Sequence, residues 1–121
     1  MITIFQIQMS NAQVDAFNAG ASVPAIDAKR KLMFGAKKFE PSMVEFFTAV
    51  YEVETDDLEK AFELTNLWEN GHLVRALPGT RGHSSSVGDI FGHNGRYYMV
   101  DSFGFEELRL FADEVEILEA A

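Results

Sequence analysis

Residues 84–108 read SSSVGDIFGHNGRYYMVDSFGFEEL. Val87 to Phe91 and Tyr97 to Asp101 are β-rich runs that bracket the turn GHNG, residues 92–95. Two such runs joined by a short glycine-bearing connection predict a β-hairpin. Ahead of it, Gly88 permits a backbone conformation closed to residues with a Cβ, and Asp89 can accept hydrogen bonds from nearby backbone N–H groups. Behind it, Gly104 lets the chain turn sharply between Phe103 and Phe105.

Working outward, Phe5, Ile7 and Met9 alternate with Gln6 and Gln8, which predicts a strand over residues 2–9 with one face buried. Ile2 and Ile4 fall on the other parity. Either both faces of this strand are covered or a bulge lies near Ile4 and Phe5. Ser10 with Gln13 forms a capping-box pattern, and Gly20 is a helix terminator, so a helix is expected over 11–19. Pro24 opens a second short helix through Ile26, Lys29 and Leu32, with a strand near 31–34 as the alternative. Residues 46–54, FFTAVYEVE, predict a strand. Thr55 or Asp56 then caps a helix carrying Leu58, Ala61, Phe62 and Thr65 on one face. Residues 67–86 read as loop, with a strand near 72–77 possible in the pattern. The tail from Phe105 to Ala121 carries Leu108, Phe111, Val115 and Leu118, a spacing that mostly suits a helix, although VEIL, residues 115–118, is also compatible with an edge strand.

The expected fold is α+β, a small, mainly antiparallel sheet with helices packed on one face. The whole chain of 121 residues is read as one domain. Hydrophobic residues make up 47 %, enough for a real core. The absence of cysteine excludes disulfides, thiolate metal sites and a Cys nucleophile, and fits a cytoplasmic setting. The N-terminal residues lack a basic start and a long apolar run, so neither a secretory signal nor a membrane anchor is expected.

The formal net charge is −9. Nine carboxylates between residues 40 and 69 face only Lys60, and a second acidic block runs from Asp101 to Glu119. These are read as solvated faces or, alternatively, as an acidic surface imitating DNA phosphates. Against this background Lys29, Arg30, Lys31, Lys37 and Lys38 cluster within ten residues. With Phe34 and Phe39 they suit RNA or single-stranded DNA through charge and stacking. The plainer reading is a solvated helix face with Leu32, Phe34 and Phe39 in the core.

Catalytic signals are poor. His72, His83 and His93 have no metal-ligand spacing, and no metal or other cofactor is expected. The glycines of GHSSSVG stand at positions 82 and 88, which is not a nucleophile elbow. GTRGH and GHNG are not phosphate cradles. A small hydrolase using His83 and a neighbouring serine is the weakest of the readings. Among the aromatics, Trp68 and one of Tyr97 and Tyr98 are expected at the surface, since neighbours in a strand face opposite ways.

His83-Ser84-Ser85-Ser86-Val87-Gly88-Asp89, the run Tyr98-Met99-Val100-Asp101-Ser102-Phe103-Gly104-Phe105, and the segment from Asp56 to Asn66 together resemble YodL-like domains and related small accessory proteins of phages and plasmids. Where that pattern carries arginine, this chain has His83, with Arg81 two residues earlier. The resemblance implies a mobile-element setting, no enzymatic activity, and an accessory role exercised in the host cytoplasm if the chain is viral. The expected partner is a host or viral protein, with nucleic acid as the alternative and no membrane. The expected contact residues are Arg81, His83, Ser86, Asp89, Tyr97, Phe103 and Phe105.

Overall fold

The computed structural model describes residues 1–67 and 71–120. Six strands, β1 (Ile2–Ile7), β2 (Phe47–Val53), β3 (Val74–Ala76), β4 (Ile90–His93), β5 (Arg96–Val100) and β6 (Phe105–Leu108), form one sheet in the order β3-β2-β1-β4-β5-β6. Every neighbouring pair is antiparallel. Among the described residues four α-helices accompany it: α1 (Asn11–Asn18), α2 (Pro24–Leu32), α3 (Leu58–Leu67) and α4 (Ala112–Ala120). The class is α+β, as the sequence predicts.

The helices lie on both faces of the sheet, not on one. Ile90 and Phe91 are adjacent, as are Met99 and Val100, and all four are buried. Adjacent strand residues point to opposite faces, so each face needs its own cover. On one side Phe5, Ile7, Phe47, Ile90 and Met99 pack with Ala25, Ala28 and Leu32 of α2 and Leu118 of α4. On the other, Ile2, Ile4, Tyr51, Phe91 and Val100 pack with Ala61 and Leu64 of α3.

Both readings of the β1 parity hold at once. The pairing runs Ile4 with Tyr51 and then Phe5 with Ala49, so Val50 is an extra residue in β2. This bulge carries β2 from one core to the other: Tyr51 and Val53 lie with Ile2 and Ile4, whereas Phe47 lies with Phe5 and Ile7.

Local signals account for most element ends. Ser10 accepts from Gln13 N, and the Gln13 side chain accepts from Ser10 N, completing the capping box. Gly20, at φ 94°, closes α1: Gly20 N donates to Phe17 O and Ala21 N to Ala16 O. Residues 24–32 adopt the helical reading rather than the strand. The hairpin turn is tighter than expected. Asn94 and Gly95 both have positive φ, and His93 pairs directly with Arg96.

Two boundaries differ from expectation. The cap of α3 is Asp57, whose Oδ1 accepts from Glu59 N at 2.9 Å and Lys60 N at 3.3 Å. Thr55 instead accepts from Asp57 N, and Asp56 binds the N-terminal amine and His93. Residues 105–108, expected to begin the tail helix, form edge strand β6 on β5, and Val115 to Leu118 lie within α4. Phe105 explains the strand: its ring packs on Phe91 at 5.3 Å between centroids, a contact that a helix starting here would lose.

Candidate functional site

The hairpin motif is preceded by a strap, residues 79–89, laid across the end of β1. Gln6 and Gln8 hold it as a neighbouring strand would. Gln6 Nε2 donates to His83 O at 2.9 Å, and Gln6 Oε1 accepts from His83 N at 3.0 Å. Two residues on, Gln8 Nε2 donates to Arg81 O at 2.5 Å, and Gln8 Oε1 accepts from Arg81 N at 3.4 Å. Side-chain amides thus imitate an antiparallel ladder. The alternation of Gln6 with Phe5 and Ile7 suggests a wet, polar face, yet Gln6 is fully buried. A buried amide must be hydrogen-bonded, and the strap supplies its partners.

Three further contacts fix the strap. Gly82 lies on the Tyr51 ring, where an added Cβ would come within 2.3 Å of it. Ser85 is buried, with its hydroxyl 2.5 Å from that of Thr65 on α3. Asp89 folds back on the strap: its Oδ2 accepts from Ser86 N and from Gln6 Nε2, each at 3.0 Å. Gly88 N then donates to Val100 O, and Val100 N to Asp89 O, which joins the strap to the hairpin ladder.

Between strap and α2 lies a cleft of about 650 Å³, with Ile7, Leu32 and Met33 as apolar walls and Lys29, His83 and Asp89 as charged or titratable groups. It adjoins a second cleft of about 400 Å³, which shares Ile7, Lys29 and His83 and continues to Met9, Val14 and Arg81. The two make one extended groove. Helix α1, which has no buried residue, forms its far wall.

Burial lifts the Asp89 carboxyl to about 6, against the opposing pull of the Ser86 N–H, the Gln6 amide, His83 and Lys29. The native state therefore holds a proton that the unfolded chain, at 3.8, gives up. The resulting stabilisation is fully present below about pH 4 and is lost as pH rises through about 6; its full size is about 3 kcal/mol. Asp89→Asn keeps an acceptor for Ser86 N and removes the ionisation. Between pH 4.5 and 7.5 the stability difference between variant and wild type should move by about 2 kcal/mol in the variant's favour, measured by urea unfolding. A difference independent of pH would contradict the assigned shift.

The structure gathers Arg81, His83, Ser86 and Asp89 along this strap and adds Lys29 opposite. It separates the other expected contact residues. Tyr97 is in the core, edge-on to Phe5 at 6.1 Å, with its hydroxyl donating to Glu119. Burial, and then that carboxylate, hold the Tyr97 hydroxyl protonated beyond the usual phenol range. Tyr98 is the more exposed of the pair. Phe105 belongs to the second core, and Phe103 stands 97 % exposed in the turn Asp101–Gly104. Trp68 lies outside the described residues. Gln6, Gln8, Ser85 and Thr65 are the site residues that periodicity misses.

No serine hydroxyl is hydrogen-bonded to His83 among the described residues. Its Nδ1 lies 2.8 Å from the Ser84 carbonyl oxygen, and the buried Ser85 is committed to Thr65. Among the described residues no group of three His, Asp or Glu side chains is placed to hold a metal. No described helix is long and apolar enough to cross a membrane.

The basic cluster divides. Lys29 faces the groove, while Arg30, Lys31, Lys37 and Lys38 line a separate cleft of about 640 Å³ with Phe34 and Phe39. Phe39 packs partly against the first core, but Phe34 is 82 % exposed and does not join it. The carboxylates Asp113, Glu116 and Glu119 are exposed along α4.

No protein-family model, curated protein or solved structure matches the chain.

Proposed function

We propose that this chain is a non-enzymatic binding module, an accessory protein of a phage or plasmid, that seats an extended segment of a host or viral protein in the groove between α2 and the strap. The observation that carries this reading is the groove itself. It is long, open and apolar-walled, with Lys29, Arg81 and His83 spaced along its course. Apolar walls with a few polar groups suit a peptide whose hydrophobic side chains alternate with polar ones. Two of the strap's polar side chains are occupied in holding it: Asp89 accepts from Gln6 and Ser86 N, and Ser85 is bonded to Thr65.

The test is site-resolved cross-linking. A photo-reactive benzophenone side chain at Val14, in the far cleft, should capture a partner polypeptide. Met33→Glu, at the opposite end of the groove, should lower that capture about tenfold, because it sets a charge where an apolar anchor sits. The same probe at Ile117 on α4, which lines neither cleft, should capture nothing specific. Equal capture from Ile117 would defeat the proposal. So would turnover of any substrate that His83→Ala or Ser86→Ala abolishes.

A further inference from the structure

The cations of the 29–38 cluster that lie outside the groove make no ion pair among the described residues. The chain holds ten Lys and Arg residues, and five of them fall between positions 29 and 38. The described ion pairs use the N-terminal amine, Lys60, Arg75, His93 and Arg96. Among the described residues none of Arg30, Lys31, Lys37 and Lys38 joins an ion pair, although the chain has nineteen carboxylates to offer. All four are exposed around one concavity. In a protein of net charge −9, a hollow lined by four cations and only two carboxylates, Asp27 and Glu40, is a local reversal of field.

An aromatic ring stands in the same hollow. Phe34 is 82 % exposed, and its turn is fixed. Gly35, at φ 114°, abuts Asp101, where a Cβ would come within 2.9 Å of Oδ1, and Ala36 N donates to that same oxygen at 3.3 Å. The ring is therefore presented by a pinned backbone. Phe39 forms a second, half-buried apolar surface in the cleft, and Asp27 and Glu40 are its carboxylates. Arg30 is itself placed by α1, with its guanidinium 5.9 Å from the centre of the Phe17 ring.

We propose that this cleft binds single-stranded nucleic acid. Phosphates take the four cations, and an unpaired base stacks on Phe34. Asp27 and Glu40 accept from base N–H groups, which a cleft made only of cations could not do. A hollow of about 640 Å³ suits a nucleotide better than it suits a flat bilayer. A duplex keeps its base faces covered and cannot use the ring.

The probes are a labelled oligothymidylate, an oligouridylate, a duplex, and phosphatidylserine vesicles, each titrated with the intact chain. Both single strands, or either alone, should bind, with log affinity falling against log salt at a slope of about −3 for four neutralised phosphates. Lys37→Glu with Lys38→Glu should weaken binding at least about tenfold, and Lys37→Gln with Lys38→Gln should flatten the slope by about 1.4. Phe34→Ala should weaken binding about tenfold with the salt slope unchanged, the signature of lost stacking rather than lost charge. Lys60→Glu, remote in sequence and already paired with Glu63, should leave affinity unaltered. These are surface positions, so unchanged thermal unfolding certifies each variant. The proposal is overturned by single strands that fail to bind at low salt, or by affinity that survives the paired lysine substitutions. It is equally overturned by duplex bound as tightly as single strands, or by vesicles preferred over both.

Discussion

Gln6→Leu should lower the free energy of unfolding by about 3 kcal/mol and free the strap from the sheet. Leucine nearly matches glutamine in volume, so little cavity is left and the loss is of hydrogen bonding. Two groups lose their partner at once, His83 N–H and His83 C=O, and a third, the Asp89 carboxyl, loses one of two and keeps Ser86 N–H. Each group left without a partner costs about 1–3 kcal/mol if it stays buried. The strap has a way out, because Arg81, His83, Ser84 and Ser86 are exposed and can take their backbone groups to water. The loss is then capped by the free energy of docking the strap, which is why the penalties do not simply add. Native-state hydrogen exchange separates the two outcomes. His83 and Ser86 amides should lose nearly all protection in the variant, while β1 and β2 amides stay protected and speed up only by the roughly hundredfold that the global loss implies. Gln6→Glu should be at least as damaging, since a carboxylate can accept from His83 N but cannot donate to His83 O or to Asp89. An unfolding midpoint equal to wild type, with strap protection intact, would mean that the strap is held by Gly82, Ser85 and Gly88 without the glutamine ladder.

This dependence explains which parts of the molecule are readable from the sequence. The hairpin is legible because its turn chemistry is local: Asn94 and Gly95 tolerate positive φ, and the apolar runs on either side fix the rest. Helix α1 is legible because its cap, terminator and apolar spacing lie within one or two turns of each other, and α3 because of its apolar spacing, although its cap falls at Asp57 rather than Thr55 or Asp56. Gln6 is not, because its partners are 77 and 83 residues away and a strand pattern treats every glutamine as solvent-facing. The same limit hides the second covered face. Ile90 with Phe91, and Met99 with Val100, signal two-sided burial only once the hairpin is known to lie inside the sheet. Residues 105–108 fail for a different reason. Phe105-Glu106-Glu107-Leu108 spaces its apolar residues three apart, which reads as a helix, and only pairing with β5 makes it a strand. Of the candidate site, the strap residues Arg81, His83, Ser86 and Asp89 do converge, because they are close in sequence. Tyr97, Phe103 and Phe105 scatter because a two-residue periodicity sends strand neighbours to opposite faces and Gly104 reverses the chain between the two phenylalanines.

Gly88→Ala should cost about 3–4 kcal/mol, and comparison with Gly95→Ala shows where that cost arises. Both glycines have positive φ, +97° and +76°, so both substitutions meet backbone strain of about 1–2 kcal/mol. They differ in surroundings. Nothing lies within 4 Å of a Cβ built at Gly95, whereas one at Gly88 comes to 2.9 Å from Leu32 Cβ and 3.6 Å from Leu32 O. Leu32 cannot yield by turning its side chain, because the blocked atom is its own Cβ and moves only with the backbone of α2. It is also 1 % exposed, packed in the first core with Ala28 and Phe47. The added methyl must therefore push the helix away from the sheet or break the Gly88 N–H bond to Val100 O, and overpacking of this kind costs about 1–3 kcal/mol beyond strain. Urea unfolding of the two variants measures the difference directly. Equal losses would show that α2 does not rest on the strap. A larger loss at Gly88 ties the groove's two walls together at this one contact, because Lys29 and Leu32 ride on the helix that Gly88 touches, and His83 and Asp89 on the strap that it ends. Any ligand that seats in the groove then binds against a spacing set by the absence of a single methyl group, and Gly88→Ala should weaken the cross-linked partner even where the variant remains folded.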